Sequence, residues 1–264
     1  YGDHRDLHLS LRRQRQMCIR ESLSFYGQSN KLTNFDSIAE QLRSVHGVVA
    51  VTPMIEGQVM ATARSVAQGA VVRGLRPEDL ARRAIVANSI QDGTLAAFSG
   101  MDTVVIGQRL AQKLGLGIGD KITLISPKGI VSAFGTVPRL KAYRVVATFQ
   151  VGMYEYDSNF IFMPMEAAQL YFRLPGSVSN LEIFIDNPDR AQSMARKIAT
   201  SFSEFGRVHD WQRANASFFN AIQVERNVMF LILSLIILVA AFNIISSMMM
   251  LVKDKGRDIA ILRT

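Results

Sequence analysis

From Leu32 onward, apolar and polar positions follow two periods in turn. Phe35, Ile38, Ala39, Leu42 and Val45 recur every three or four residues and predict an amphipathic helix, with Asn34 at its N-cap and Gly47 to close it. Period two then takes over. Val48-Val49-Ala50-Val51 predicts a strand that Pro53 limits, and further strands follow at Gln58-Val59-Met60-Ala61 and from Ala70 to Leu75. The stretch Ile106 to Asp120 places Leu110 and Leu114 on one helical face, with Gly115 as a left-handed C-cap and Gly119-Asp120 as a turn. The alternation in Lys121-Ile122-Thr123-Leu124-Ile125 predicts a strand buried on one face.

Pro127 to Arg139 has turn residues at both ends and an apolar middle, the pattern of a long hairpin arm. Pro127, Ile130, Val131, Phe134, Val137, Pro138 and Arg139 are its candidate contact residues, because exposed apolar side chains on a loop are costly without a partner. The competing expectation is that they tuck back onto the domain. Strands are expected from Tyr143 to Phe149, Phe160 to Met163, Leu181 to Ile185 and Val208 to Trp211, and helices from Glu166 to Phe172 and Pro188 to Phe205. The fold class is α+β. Residues 32–92 and 160–211 form a split α/β layer, and residues 93–159 form a β-rich insertion.

From Asn227 to Val252 no residue is charged, and about 26 residues at 1.5 Å each reach roughly 39 Å, enough to cross a bilayer. Residues 225–252 are therefore assigned as one transmembrane helix. Asn243, Ser246 and Ser247 make a short polar patch on it, the usual signature of helix–helix packing in membranes rather than of a transport pathway. Lys253, Lys255, Arg257 and Arg263 follow the span against Arg226 alone before it, which puts the C-terminal side in the cytoplasm and residues 23–224 outside.

Composition removes several functions. Thirty Lys and Arg against 22 Asp and Glu leave a net charge of +8, but residues 1–22 hold five Arg and three acids, and the remaining excess is spread without a basic run. That distribution argues against nucleic acid as a partner. The lone Cys18 permits no intramolecular disulfide, and His46 and His209 stand far apart, so neither a thiol nucleophile nor a metal cluster is read. The glycines around Gly115 precede a strand instead of following one and have no Lys-Ser/Thr ending, so no nucleotide loop is expected there. Tyr154-Glu155-Tyr156-Asp157 is taken as a solvated turn, since no base or nucleophile accompanies its acids. The chain is read as non-catalytic, with no cofactor. Residues 1–22 lack apolar periodicity and are read as a non-native leader, since Arg15-Gln16-Met17-Cys18-Ile19-Arg20 resembles the translation of a transposon end; a basic tail is the other reading.

Val224-Glu225-Arg226-Asn227-Val228-Met229-Phe230, the run from Leu251 to Thr264 and the Gly-Leu-Gly-Ile-Gly-Asp turn at Gly115 together resemble the LolC/LolE family of lipoprotein-releasing ABC permeases, with a MacB-like periplasmic domain. The resemblance runs from about Phe35 to Thr264. It implies a bacterial inner-membrane protein, multi-pass when intact, with one span before Leu23 and two after Thr264. It also implies a cytoplasmic ABC ATPase subunit, a second permease subunit in a homo- or heterodimer, a periplasmic lipoprotein carrier, a lipoprotein substrate and membrane lipid as partners. Residues 253–264 would open a coupling helix, with Ile259, Ile261 and Leu262 entering the ATPase and Lys253, Lys255, Arg257, Asp258 and Arg263 around them; the other reading is a solvated basic flank. The arm would sit where such permeases carry a hook that meets the carrier. A MacB-type efflux permease and a membrane-anchored sensor or division regulator of the same fold are the alternatives.

Overall fold

The structure is a computed structural model that describes residues 22–28, 31–132, 135–187, 190–210 and 216–261. It divides into two bodies, residues 1–211 and residues 212–264.

In the first body, ten strands are described: β1 (Ser22–Gly27), β2 (Val48–Ala63), β3 (Val66–Leu75), β4 (Ile90–Gly93), β5 (Thr103–Gly107), β6 (Lys121–Ser132), β7 (Gly135–Phe149), β8 (Phe160–Pro164), β9 (Asn180–Ile185) and β10 (Gly206–Asp210). Their order is β10-β1-β9-β2-β3-β8-β5-β7-β4, and β6 bridges β2 and β7. The helices of this body are α1 (Phe35–Arg43), α2 (Pro77–Arg82), α3 (Ala84–Ala87), α4 (Gln108–Leu114), α5 (Tyr154–Asn159), α6 (Met165–Phe172) and α7 (Ala191–Ser201). Residues 93–159 enter the layer through β5, which sits between β8 and β7.

Alternation explains why the sheet carries a core on each face. Leu23 and Phe25 of β1, Val51 and Ile55 of β2 and Leu181 and Ile183 of β9 point toward α1 and α7, where Ile38, Leu42, Met194 and Ile198 meet them. The other face is covered by Leu80 and Val86 of α2 and α3, packed with Met54, Leu75, Val105, Phe149 and Phe162. Full burial of one such side chain stabilises by roughly 1.5–3 kcal/mol relative to exposure.

Three expectations need correction, and the N-cap at Asn34 holds in position but not in its bonding. Pro53 does not limit a strand: β2 runs through it for 16 residues, and the segment at Gln58 is its second half. Pro53 faces Leu181 of β9, whereas pairing with β3 begins only at Ile55, so the missing N–H removes no bond to β3. Asn34 sits at the N-cap but at φ 54° with no side-chain cap bond; its carbonyl accepts from Ile38 N. Tyr154 to Asp157 starts a helix instead of a turn. Asp157 is fully buried, and its carboxylate accepts from the backbone N–H groups of Val151 and Gly152 at 2.8 and 3.0 Å. Beside it, a Cβ on Gly107 would lie 2.1 Å from the Asp157 carbonyl oxygen, so the β5–α4 junction admits only glycine without a backbone shift. Finally, β1 lies where no strand was expected, with Leu23 and Phe25 completely buried between β9 and β10.

Charged residues enter the interior where β2, β3 and β9 meet α2, α3 and α5. Arg73 of β3 faces Glu56 of β2 across the ladder, donates to its carboxylate at 2.9 Å and to the Tyr156 hydroxyl at 3.1 Å, and stacks 4.5 Å over Phe160. Arg83, between α2 and α3, pairs with Glu182 of β9, both side chains nearly buried. Burial opposes both cations, but Tyr156 and Glu56 around Arg73, and Glu182 beside Arg83, outweigh it and hold both pKa values above the ordinary one. Deleting one partner strands the other charge, so Glu182→Ala should destabilise the first body by about 3 kcal/mol or more. Arg83→Met combined with Glu182→Leu should lose much less; denaturant unfolding followed by circular dichroism separates the two outcomes.

The second body is described as one helix, α8 (Ala216–Ile261), of 46 residues, about 69 Å long at 1.5 Å per residue. Val224–Met250 within it has a mean hydropathy of 2.9, with none of that stretch buried.

Candidate functional site

The hairpin expected between Pro127 and Arg139 exists, built from β6 and β7. Its lower part belongs to the sheet, because β6 pairs with β2 from Thr123 to Ile125 and β7 pairs with β5 from Arg144 onward. Above those residues, β6 and β7 pair only with each other, Ser126 against Arg139 and then Ile130 against Val137 through Ser132 against Gly135. Pro127, Lys128 and Gly129 oppose Pro138 alone, so the ribbon bulges where both strands carry a proline.

Period two divides the root of this ribbon into two faces. Ser126 and Leu124 of β6 point inward, and Arg139, Lys141 and Tyr143 of β7 lie on the same side. Ile125, Leu140 and Met60 of β2 stand opposite one another on the outer side, with Leu140 63% and Met60 50% exposed. Ile125 and Met60, together with Gly69, Pro127, Pro138 and Asn159, line a groove of about 610 Å3 in which no lining residue is charged. Val137 is 54% exposed, and Pro127 and Pro138 are exposed, so these side chains do not tuck back onto the domain. The strands place Ile130 and Val131 in the ribbon, while Phe134 lies outside the described residues.

Arg139 departs from its neighbours. It is half-buried, and its guanidinium donates to the carbonyl of Tyr171 in the last turn of α6. Burial pushes the Tyr171 hydroxyl up to about 12, against the opposing pull of the Arg139 cation. Lys141, which the sequence did not single out, bonds the Asp102 carboxylate at 2.9 Å and the Met101 carbonyl at 3.1 Å. Leu140, Lys141 and Met60 become visible as arm-root residues only once the register is known.

The remaining candidate residues lie on or near α8. Asn243, Ser246 and Ser247 fall at helical spacing on one side of its apolar stretch and are exposed. The helix continues without a break past Met250 through Lys253, Lys255, Arg257, Asp258 and Ile259 to Ile261, so these residues extend the span helix. Leu262 and Arg263 lie outside the described residues. Among the described residues, no three His, Cys, Asp or Glu side chains come together as a metal site.

The chain enters and leaves the sheet side by side, since Leu23 pairs with Asp210. A family model of the MacB-like periplasmic core domain matches residues 9–201. The chain is 33% identical over 240 residues to the lipoprotein-releasing system transmembrane protein LolC of Neisseria meningitidis serogroup B, covering 89% of this chain and 57% of that protein. It is 23% identical over 232 residues to the lipoprotein-releasing system transmembrane protein LolE of Haemophilus influenzae, covering 88% and 56%. The crystal structure of the periplasmic region of MacB from Actinobacillus actinomycetemcomitans aligns with a TM-score of 0.47 at 10% identity, over 76% of this chain and 93% of that one. The chain thus spans a little over half the length of these LolC and LolE relatives. With most of its length matched by the family model, the chain belongs to the MacB-like periplasmic core domain family, and within it is of the LolC/LolE permease type.

Proposed function

We propose that this chain is part of the permease subunit of an ABC transporter that releases lipoproteins from the bacterial inner membrane to a periplasmic carrier. A separate cytoplasmic ATPase subunit supplies the energy, and a second permease subunit of the same type completes the membrane part. The observation that carries this reading is the free ribbon of β6 and β7. It bears exposed Val137, Pro138 and Leu140 beside an uncharged groove, on a domain that an apolar helix follows. Two unsupported strands with apolar side chains in water are marginal by themselves, so a partner surface supplies what burial the ribbon lacks. The relatives belong to a lipoprotein-releasing system, which makes a lipoprotein carrier the natural partner.

The basic residues after the span set its orientation. Lys253, Lys255, Arg257 and Arg263 keep the C-terminal side of α8 in the cytoplasm, and the sheet domain then lies in the periplasm. Ile259, Ile261 and Leu262 follow the span in a charged segment where no lipid buries them, which makes them contacts to the ATPase. Asn243, Ser246 and Ser247 pack against other membrane helices of the assembly. A continuous helix from Ala216 to Ile261 gives motion at the ATPase a stiff route toward the domain.

Phe134→Asp or Val137→Asp in the full-length permease should weaken carrier binding tenfold or more while the domain stays folded, because a carboxylate in an apolar contact must be desolvated without a partner. Site-specific crosslinking from the arm to the carrier measures this; normal crosslinking and normal release in both variants would remove the arm from the interface. Ile261→Asp or Leu262→Asp should uncouple ATP hydrolysis from release, since an apolar anchor of an interface commonly contributes about 2 kcal/mol or more. ATPase copurification and release from liposomes are the readouts. Wild-type values in both assays would leave Lys253 to Arg263 as a solvated flank.

A further inference from the structure

Among the described residues the arm leaves the sheet as two strands with no third neighbour, and something must determine the direction in which it points. Pairing of β6 to β2 ends at Ile125, and pairing of β7 to β5 begins only at Arg144. From Ser126 to Ser132 the ribbon extends roughly 20 Å at the usual rise per residue. A tilt of about 20° at its base would move the tip by about 7 Å, more than a specific contact tolerates. The base is also its weakest point, because Pro127 and Pro138 contribute no N–H to the ladder and three residues there face one.

Directly beneath that bulge, β7 sends two cations to the body of the domain in different directions. Arg139 is the first residue of β7 below Pro138, and it donates to the Tyr171 carbonyl at the C-terminal end of α6. That end exposes carbonyls that helical bonds leave free and carries the negative end of the helix dipole, so a guanidinium suits it. Two residues further, Lys141 reaches the turn before β5, where it bonds the Asp102 carboxylate and the Met101 carbonyl and lies 5.0 Å from the Tyr143 ring centroid. Tyr143 in turn meets Tyr171 edge-on at 6.0 Å, which closes the circle between the two anchor points. The helix α6 is itself held to the sheet, since Gly57 of β2 and Gly74 of β3 leave room only for Phe172 and Ala168 against them.

We propose that Arg139 and Lys141 are positioning residues that brace the arm, fixing its angle to the sheet from inside instead of touching the partner at its tip. This moves Arg139 out of the set of contact residues and adds Lys141 to the arm's machinery. The consequence for transport rests on the arm being the carrier contact; the brace itself does not.

The test separates the two. In a cysteine-free full-length permease, spin labels at Val137→Cys on the arm and Val49→Cys on β2, both at exposed positions, report the arm's angle as a distance distribution. The expected result is one narrow distribution in the parent, broadened or shifted in Arg139→Gln and in Lys141→Gln, and largely restored by Arg139→Lys. Melting temperatures within a few degrees of the parent establish that the fold is intact, and Lys141→Gln decides if Arg139→Gln fails to fold. Unchanged distributions in every folded variant would overturn the brace. Carrier affinity is then read on unlabelled variants that keep Val137: a drop of about tenfold in Arg139→Gln with recovery in Arg139→Lys links the angle to binding. Altered distances with unaltered carrier affinity would uphold the brace and overturn the carrier reading of the arm.

Discussion

Strand β2 holds 16 residues extended, and its two halves are hydrogen-bonded to different neighbours. Val48 to Met54 pair with β9, and Ile55 to Ala63 pair with β3, with β6 joining on the other edge from Met60 to Thr62. Because side chains alternate along one continuous strand, Val51, Ile55, Val59 and Ala61 serve one core and Met54 serves the other. A register slip of one residue in β2 would exchange these sets and turn Glu56 into the core. The arm, the ionic seam and the helical layers all take their positions from this strand.

The ionic seam follows from the same geometry. Glu56 and Arg73 are cross-strand partners on the face that carries Met54, and Glu182 stands on β9 opposite Thr52 of β2. Packing α2, α3 and α5 over that face removes water from the carboxylates, so each needs a cation, and Arg73 and Arg83 supply them. Such pairs add little net stability compared with apolar residues of equal size, but they discriminate strongly against misdocked arrangements in which a charge would be left alone. The seam therefore specifies how the helices sit on the sheet more than it strengthens the sheet.

The arm and α8 share a physical logic. Each presents exposed apolar side chains: Val137 and Leu140 on the ribbon, and Phe230, Leu231 and Ile237 among many on the helix. Bilayer lipid satisfies the helix, whose backbone bonds are all internal. The ribbon has no such solvent, and on the proposed reading a partner protein covers its apolar surface. A braced ribbon would lower the ordering cost of such an encounter, because it is held in one orientation before contact.

Periodicity alone located the span, the helices α1, α6 and α7, most of β3, β8 and β9 and the second half of β7, since each buries one face or, for the span, every face, and the pattern records it. Gly115, at φ +64°, closes α4 as its place after Leu114 suggested, because only the local backbone matters there. The apolar middle of the arm was equally plain from Pro127 to Pro138. Tertiary structure decided what depended on partners distant in the chain. Pro53 lies inside a strand because the neighbour it would have bonded starts two residues later. Leu23 and Phe25 form a strand because β9 and β10, more than 150 residues away, close on both sides of it. Asp157 is an interior acceptor instead of a solvated acid, and Arg139 is turned toward α6, whose Tyr171 carbonyl faces the arm's base only after folding. A side chain's period is written locally, but the identity of what it meets is set by register and layer order, which the linear pattern does not encode.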